Sequence, residues 1–362
     1  MAEKRIGILT SGGDCAGLNA ALRAVVHRAI RGYGWRVFGI RDGSLGLMNR
    51  PLDVCEFDLG AVSDMLRQGG TVLGTINKGD PFAYPQPDGT TCDRSGEFVA
   101  GYKELGLDAL VVIGGDGSMR ILNRLCKQGG IPMVGIPKTI DNDVAHTDYA
   151  IGYMTALTVA SEALDRLAPT AASHHRVMIL EVMGRDVGHI ALSAGIAGGA
   201  DVILIPEISY SMAGIAARIA EVRHEGRNHA LVVVAEGVKT ENGQPVTTLH
   251  QGGEARYGGI GQYLAERLAE TVAAETRVTV LGHVQRGGMP SMQDRLIASA
   301  FGVYAVDLIA QGRTDRVVAW QHGQVTDIPL GEVAGVTRAV DPFGTLANTA
   351  RGLGIYIGDH AV

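Results

Sequence analysis

The run ALVVIGGDGSMRILNRLCKQGGIPMVGIPKTIDND, residues 109–143, reads as a strand, a glycine turn, a helix and a second strand. Residues 109–113 and 133–136 are short apolar runs, as expected of parallel strands covered on both faces. Between them, Gly114-Gly115-Asp116-Gly117-Ser118 ends one strand and opens the helix. The same alternation recurs along the chain. Further strands are expected at residues 5–9, 36–40, 177–182, 202–205, 230–234 and 278–281. Residues 151–168 and 260–275 carry amphipathic helix patterns, with Leu157, Ala160, Leu164 and Leu167 on one face of the first. Strand–helix alternation of this kind predicts mostly parallel sheets in a doubly wound α/β fold.

The chain has 362 residues, 46% hydrophobic and 19% charged, enough for sizeable cores in two or three domains or one large α/β unit. Glycine contributes 51 residues without a collagen period, so the glycines serve tight turns and close approach of backbone to ligand. A formal charge of −6 argues against nucleic acid or an anionic membrane as the main partner. An anionic substrate must then be held by local cations. Cys15, Cys55, Cys92 and Cys126 form no CxxC pair and read as reduced thiols of a cytoplasmic protein. The N-terminus lacks a secretory apolar core, and no stretch approaches ~18 apolar residues, so no membrane span is expected. Residues 77–96 and 239–253 are the loopiest stretches. The first reads equally as an active-site flap or a surface excursion.

In open parallel sheets, ligands bind beyond the carboxyl ends of the strands. Thr10-Ser11-Gly12-Gly13-Asp14 follows the first strand, and a helix opens near Leu18. Its glycines, like those of the residue 114–118 loop, let backbone approach a phosphate, and helix N-termini add N–H groups. Asp116 contributes a carboxylate, which makes sense if Mg²⁺ bridges it to phosphate. Neither loop is a GxGxxG or a GxxxxGK[ST] motif. Pro137-Lys138-Thr139-Ile140-Asp141-Asn142-Asp143 follows the strand at 133. In an extended segment Asp141 and Asp143 point the same way, suiting a general base and an orienting group. An Asx-turn and helix N-cap would use Asp and Asn here as well. Met183-Gly184-Arg185, Glu236-Gly237 and the stretch holding His283 and Arg286 end three later strands, while Arg176 and Arg277 precede two. Together these cations read as a second anion site. Two anion sites with a carboxylate cluster between them describe phosphoryl transfer from a polyphosphate to an acceptor that itself carries phosphate.

Assembled in order, ILTSGGDCAGLNAALR, GGTVLGT, VVIGGDGS, PKTIDND, EVMGRDVGH, AEG, ETRVTVLGHVQRGG and Asp294-Arg295 make the chain resemble the 6-phosphofructokinase family from end to end. The resemblance implies two similar Rossmann-like three-layer domains with the active site in the cleft between them. Residues 1–150 with 285–335 would bind nucleotide and Mg²⁺, and residues 151–284 with 336–362 the sugar phosphate. The implied reaction transfers phosphate from ATP to the 1-hydroxyl of fructose 6-phosphate. Gly13, Gly117, Ser118 and Lys138 would attend the donor, with Asp116 holding Mg²⁺. Asp141 would be the base, Thr139 would sit at the transferred phosphoryl group, and Asp143 beside the base. Met183, Gly184, Arg185 and Glu236 would contact the sugar, Arg185 also serving catalysis. Arg176, Arg277, His283 and Arg286 would bind its 6-phosphate. Arg176 and Arg277 would reach across from a neighbouring subunit of a homodimer or homotetramer.

Three departures bear on the donor. Gly117 matches ATP users, where pyrophosphate users carry Asp. Lys138 matches pyrophosphate users. Asn77 stands where a donor-phosphate arginine is expected, leaving Lys78 or Lys138 to supply the charge. The pyrophosphate-dependent enzyme is therefore the alternative reading, and a catalytically silent sugar-phosphate-binding regulator is one of another class. The effector pocket of allosteric bacterial relatives is depleted as well: Arg23 remains, but His27, Ala168 and Asn228 replace cations, which predicts a weak or absent response to ADP and phosphoenolpyruvate.

Overall fold

The computed structural model describes residues 3–77, 79–249 and 255–361; Lys78 and the end of the second loopy stretch lie outside them. The principal strands are β1 (Arg5–Thr10), β2 (Arg36–Ile40), β3 (Val54–Phe57), β4 (Ala109–Gly114), β5 (Met133–Thr139) and β6 (Ile151–Gly152). They continue with β7 (Val177–Val182), β8 (Val202–Leu204), β9 (Ala230–Ala235), β10 (Thr276–Val280), β11 (Arg316–Gln321) and β12 (Gln324–Pro329). The principal helices are α1 (Leu18–His27), α2 (Ser95–Glu104), α3 (Asp116–Gly129), α4 (Tyr153–His174), α5 (His189–Ala197), α6 (Met212–His224), α7 (Ile260–Ala269) and α8 (Met292–Ala310). The chain divides into two units, Met1–Thr155 with Arg286–Thr337, and Ala156–Gln285 with Arg338–Val362.

The first unit is built on an eight-stranded sheet in the order β12-β11-β5-β4-β1-β2-β3, with β6 pairing β5 off this path. β2, β1, β4, β5 and β11 run parallel, and β3 and β12 are antiparallel edges. Every residue of β4 is buried, as its unbroken apolar run requires. Leu110, Val112, Met119, Leu122, Met133 and Val317 share one core cluster, where each large apolar side chain contributes about 1.5–3 kcal/mol. From β1 the chain winds first to β2 on one side and later to β4 on the other. The carboxyl ends of β1 and β4 therefore flank a topological switch point, where such sheets open a crevice.

The second unit holds a four-stranded, wholly parallel sheet, β8-β9-β7-β10. Three expectations change. The helix expected over residues 260–275 ends at Ala269, where the Thr271 hydroxyl turns back to the Leu268 carbonyl. The helix expected from residue 151 starts at Tyr153, because residues 151 and 152 are taken by β6, and it runs through Pro169 to His174. The β11–β12 hairpin was not anticipated, although its turn residues His322 and Gly323, both at positive φ, are the type I′ signal for a two-residue hairpin. Residues 79–94 hold a 3₁₀ turn at Pro81–Ala83 and a small hairpin, with Phe82 and Tyr84 packed on the core under Arg124 and Arg94.

Candidate active site

The loop after β1 is fixed by backbone rather than by its own side chains. Ser11 N–H donates to the Ile113 carbonyl at 2.9 Å, and Gly12 N–H donates to the Ile76 carbonyl at 2.9 Å. The Thr75 hydroxyl donates to the Gly12 carbonyl at 2.6 Å, and that of Thr10 to the Gly74 carbonyl at 2.7 Å. Buried Asn19 clasps the start of this backing segment, donating to the carbonyls of Gln68 and Gly69 and accepting from Val72 N–H. The GGTVLGT motif thus works as a brace beneath the first glycine loop. Gly12 adopts φ +84°, and a Cβ there would lie 3.1 Å from Ser118 Oγ and 3.3 Å from Lys138 Nζ. Gly12 is where three loops converge, and a Cβ at Gly13 would lie 2.7 Å from the Arg286 guanidinium.

β4 delivers the second loop directly onto the N-terminus of α3, with Gly115 as N-cap and Asp116 in the first turn. Among the described residues, no hydrogen bond or ion pair engages the Asp116 carboxylate. No cluster of three or more His, Cys, Asp or Glu that could hold a metal occurs among them either. A single carboxylate beside the N–H groups of a helix N-terminus fits Mg²⁺, which takes one or two protein carboxylates and completes its shell with phosphate and water. Among the described residues, a Cβ at Gly117 would meet nothing within 4 Å, so that position faces open space.

β5 carries the third element. Lys138 is 5% exposed, and its ammonium donates to the Gly13 carbonyl. Burial pushes its pKa below the usual lysine range. Arg286 donates to the Asp14 carbonyl at 3.1 Å, so two cations tie down the first glycine loop. The Thr139 hydroxyl accepts from Asp141 N–H at 3.1 Å. Asp141 is buried and Asp143 half-buried. Asn142 takes φ +55°, so the two aspartates flank a turn instead of alternating along an extended segment. No helix starts there for them to cap; the next element is β6.

In the second unit the acceptor candidates separate into two groups. Met183, Gly184 and Arg185 follow β7, Glu236 follows β9, and His283 lies in the turn Gly282–Arg286 after β10, all at the carboxyl end of the sheet. Arg185 N–H donates to Glu236 Oε1 at 3.1 Å. Gly237 is obligatory beside them, since a Cβ there would lie 1.8 Å from the Arg185 carbonyl oxygen. Gln285, 1% exposed and overlooked in the sequence, accepts from Met183 N–H at 2.8 Å. Its place inside VQRGG was the available signal. Arg176 and Arg277 stand at the other end, where β7 and β10 begin, and both grip Glu275. The six residues of β7, at ~3.3 Å each, put roughly 20 Å between the two groups. Arg286 falls in the first unit.

The fold and this geometry define an α/β protein with a glycine-loop crevice at a switch point and a carboxylate-bearing turn beside it. The profile of the phosphofructokinase family matches residues 5–309, and the chain belongs to that family. It is 60% identical over 357 residues to "ATP-dependent 6-phosphofructokinase 1" of Nostoc sp., covering 99% of each chain. The protein of the same name from Synechocystis sp. is 58% identical, over 98% of this chain and 99% of that one. Among solved structures, phosphofructokinase from Saccharomyces cerevisiae superposes with TM-score 0.77 at 32% identity, over 92% of this chain and 45% of the yeast chain. The pyrophosphate-dependent phosphofructokinase of Marinobacter aquaeolei shares the fold, with TM-score 0.80 at 22% identity over 98% of this chain and 88% of its own.

Proposed function

We propose that the chain transfers the terminal phosphoryl group of ATP to the 1-hydroxyl of fructose 6-phosphate, giving fructose 1,6-bisphosphate and ADP in the cytoplasm. The observation that carries this reading is the convergence of Gly12, Ser118 and Lys138 at the switch point of the first sheet, with Thr139 and Asp141 on the next strand end. Relatives at 60% and 58% identity are named as ATP-dependent 6-phosphofructokinases. The glycine loops and the N-terminus of α3 receive the donor phosphates, and Ser118 stands in that loop. Asp116 would hold Mg²⁺, which when bound offsets the charge of the phosphates around the transferred group. Asp141 takes the proton of the attacking hydroxyl, Thr139 lies at the transferred group, and Asp143 stands beside the base. Lys138 fixes Gly13 and so preorganises the donor loop. Met183, Gly184, Arg185 and Glu236 orient the sugar, and His283 and Arg286 serve its 6-phosphate. Arg176 and Arg277, at the opposite end of the second sheet, serve the site of a neighbouring subunit in a homo-oligomer.

Lys138 and Asn77 favour a second reading, in which pyrophosphate is the donor. Against it, Gly117 leaves open the space an α-phosphate would enter. Loss of effector cations predicts little response to ADP or phosphoenolpyruvate; Arg227 is engaged by Asp201 and Arg223 by the Ala273 carbonyl. A coupled assay with fructose 6-phosphate, run in parallel with ATP and with pyrophosphate, separates the readings. Turnover with ATP alone is expected. Turnover with pyrophosphate alone would reverse the donor assignment, and turnover with neither would leave a sugar-phosphate-binding regulator.

A further inference from the structure

We infer that Asp294 is a positioning residue for the turn that carries Asp141, acting through the chain segment that returns from it; this rests on Asp141 being the base. Asp294 lies in the first turn of α8 and is fully buried. Its Oδ1 accepts from Gly152 N–H at 2.9 Å, and its Oδ2 accepts from the N–H and hydroxyl of Thr155 at 2.7 and 2.5 Å. Ser291, the N-cap of α8, donates from its N–H to the Thr155 hydroxyl at 3.0 Å, completing a cross-link from α8 to the return segment.

That segment is the immediate neighbour of the reactive strand end. β6 pairs with β5 in parallel, Ile151 beside Lys138 and Gly152 beside Thr139. Gly152 presses on the turn itself: a Cβ there would lie 2.5 Å from Cys15 Sγ and 3.4 Å from Cγ2 of Ile140, the residue before Asp141. At the near end, Asn142 completes the clasp. Its Oδ1 accepts from Ala150 N–H at 3.0 Å and its Nδ2 donates to the Asp148 carbonyl at 3.0 Å. The turn bearing Asp141 is therefore held between a side chain inside it, Asn142, and a buried carboxylate just over 150 positions further along, Asp294. Capping α8 requires only Ser291, which already accepts from Asp294 N–H. The carboxylate also takes the Ser291 hydroxyl at 3.5 Å, but its three shortest bonds come from the return segment, one donor in β6 and two in the first turn of α4. Burying it without them would be costly, and burial does push its pKa up. Misplacing a catalytic group by about 1 Å can cost around 10²-fold in rate, so a remote clamp of this kind reads out in turnover.

A double-mutant cycle between Asp294→Asn and Asp141→Asn tests the inference. Asparagine keeps the shape but sets an NH₂ group against donors that now meet a carboxylate. Asp294→Asn is expected to lower kcat about 10–100-fold with an unchanged circular dichroism spectrum, and to move both KM values less than ~3-fold. Added to Asp141→Asn, it should cost less than ~2-fold more, because a residue that acts through the base has nothing left to act on. A full multiplicative loss in the double variant, a loss confined to KM, or unchanged kcat would overturn the inference while leaving the base assignment standing. Near-normal turnover of Asp141→Asn alone would overturn the base assignment and this inference with it. Should Asp294→Asn fail to fold, Thr155→Val removes one donor and takes its place in the same cycle, with an expected loss in kcat of about 3–10-fold.

Discussion

In the first unit, Lys138 and Arg286 turn inward onto the carbonyls of Gly13 and Asp14. In the second, Arg176 and Arg277 stand at the start of two strands and share the exposed carboxylate of Glu275. The hydrogen bond from Arg176 holds the Glu275 pKa below the usual carboxylate range. Both pairs consist of cations proposed to attend phosphate, yet they are held at opposite extremes. A buried ammonium bears a desolvation cost whether or not ligand is present, and in return it sets the shape of its loop beforehand. An exposed ion pair is worth only ~0–1 kcal/mol, so Glu275 yields readily to a phosphate that both guanidiniums can fork. The first glycine loop is built in advance; the cations at the amino end of the second sheet are held in reserve.

The sharpest way to break that contrast is to disable the prebuilt side at its chemical centre. Asp141→Asn is expected to lower kcat by ~10²–10⁴, with much smaller changes in either KM. Steady-state kinetics on the folded variant check it, and near-normal kcat would remove Asp141 from the base role.

Gly117→Asp comes next in size. The protein itself accommodates the side chain, because none of the described residues lies within 4 Å of the new Cβ. A clash would therefore come from the donor alone. Like charges brought together cost several kcal/mol, so kcat/KM for ATP should fall by two decades or more while thermal stability holds. With Lys138 already present, pyrophosphate turnover is the gain to look for. Unchanged ATP kinetics would show that the open space beside Gly117 is not where the nucleotide passes.

The reserve side is tested by Arg277→Ala. Losing a charge-assisted hydrogen bond of about 1.5–3 kcal/mol should raise KM for fructose 6-phosphate by roughly 10–150-fold and leave KM for ATP nearly unchanged. If Arg277 serves a neighbour, subunits carrying Arg277→Ala and Asp141→Asn complement each other at fructose 6-phosphate well below the raised KM, where the Arg277→Ala parent is nearly silent. Random pairing in a dimer gives half heterodimers, each with one intact site, so activity returns to about a quarter of wild type. Mixed oligomers as inactive as either parent would confine each arginine to its own chain.

How much of this could be read from sequence follows the same division. Strand ends followed by glycine loops are local signals, and β1, β4 and β5 with their loops stood where the apolar runs put them. The turn at Asn142 was not legible, because a single left-handed residue changes where Asp141 and Asp143 point without changing composition. Gly12 and Gly13 are adjacent and chemically identical; only the positions of Ser118, Lys138 and Arg286 tell them apart. Gln285 and Asp294 act through backbone N–H groups more than 100 residues away, a relation no local pattern encodes. Arg176 and Arg277 looked like one anion site with His283, and parallel strand direction then put them at the far end of the sheet.

The smallest expected effect concerns stability, and it asks whether the second unit also buries a group that resists protonation, as the first buries Lys138. Burial holds the His189 pKa down at about 4, from an ordinary 6.5, outweighing the hydrogen bond to the Arg338 backbone that favours the charged ring; the Arg338 charge adds to the lowering. Its Nε2 lies 3.0 Å from the Arg338 carbonyl oxygen. Above pH 6.5 the imidazole is neutral in both folded and unfolded chains and contributes nothing to the pH dependence. As pH falls from 6.5 towards 4, the unfolded chain takes up a proton that the folded one refuses, so stability is lost across that window, by about 2–3 kcal/mol in all. Glu207, which accepts from Gly188 N–H beside it, works the other way: burial raises its pKa, so acid relieves its cost. The raw acid profile therefore mixes the two, and the difference between wild type and His189→Gln isolates the histidine. Thermal midpoints measured from pH 7 to pH 4.5 should fall less steeply in the variant, by several degrees at the acid end, since glutamine keeps a donor for the Arg338 carbonyl but cannot be protonated. Parallel profiles would show that His189 titrates alike in both states and that the acid weakness of this unit lies elsewhere.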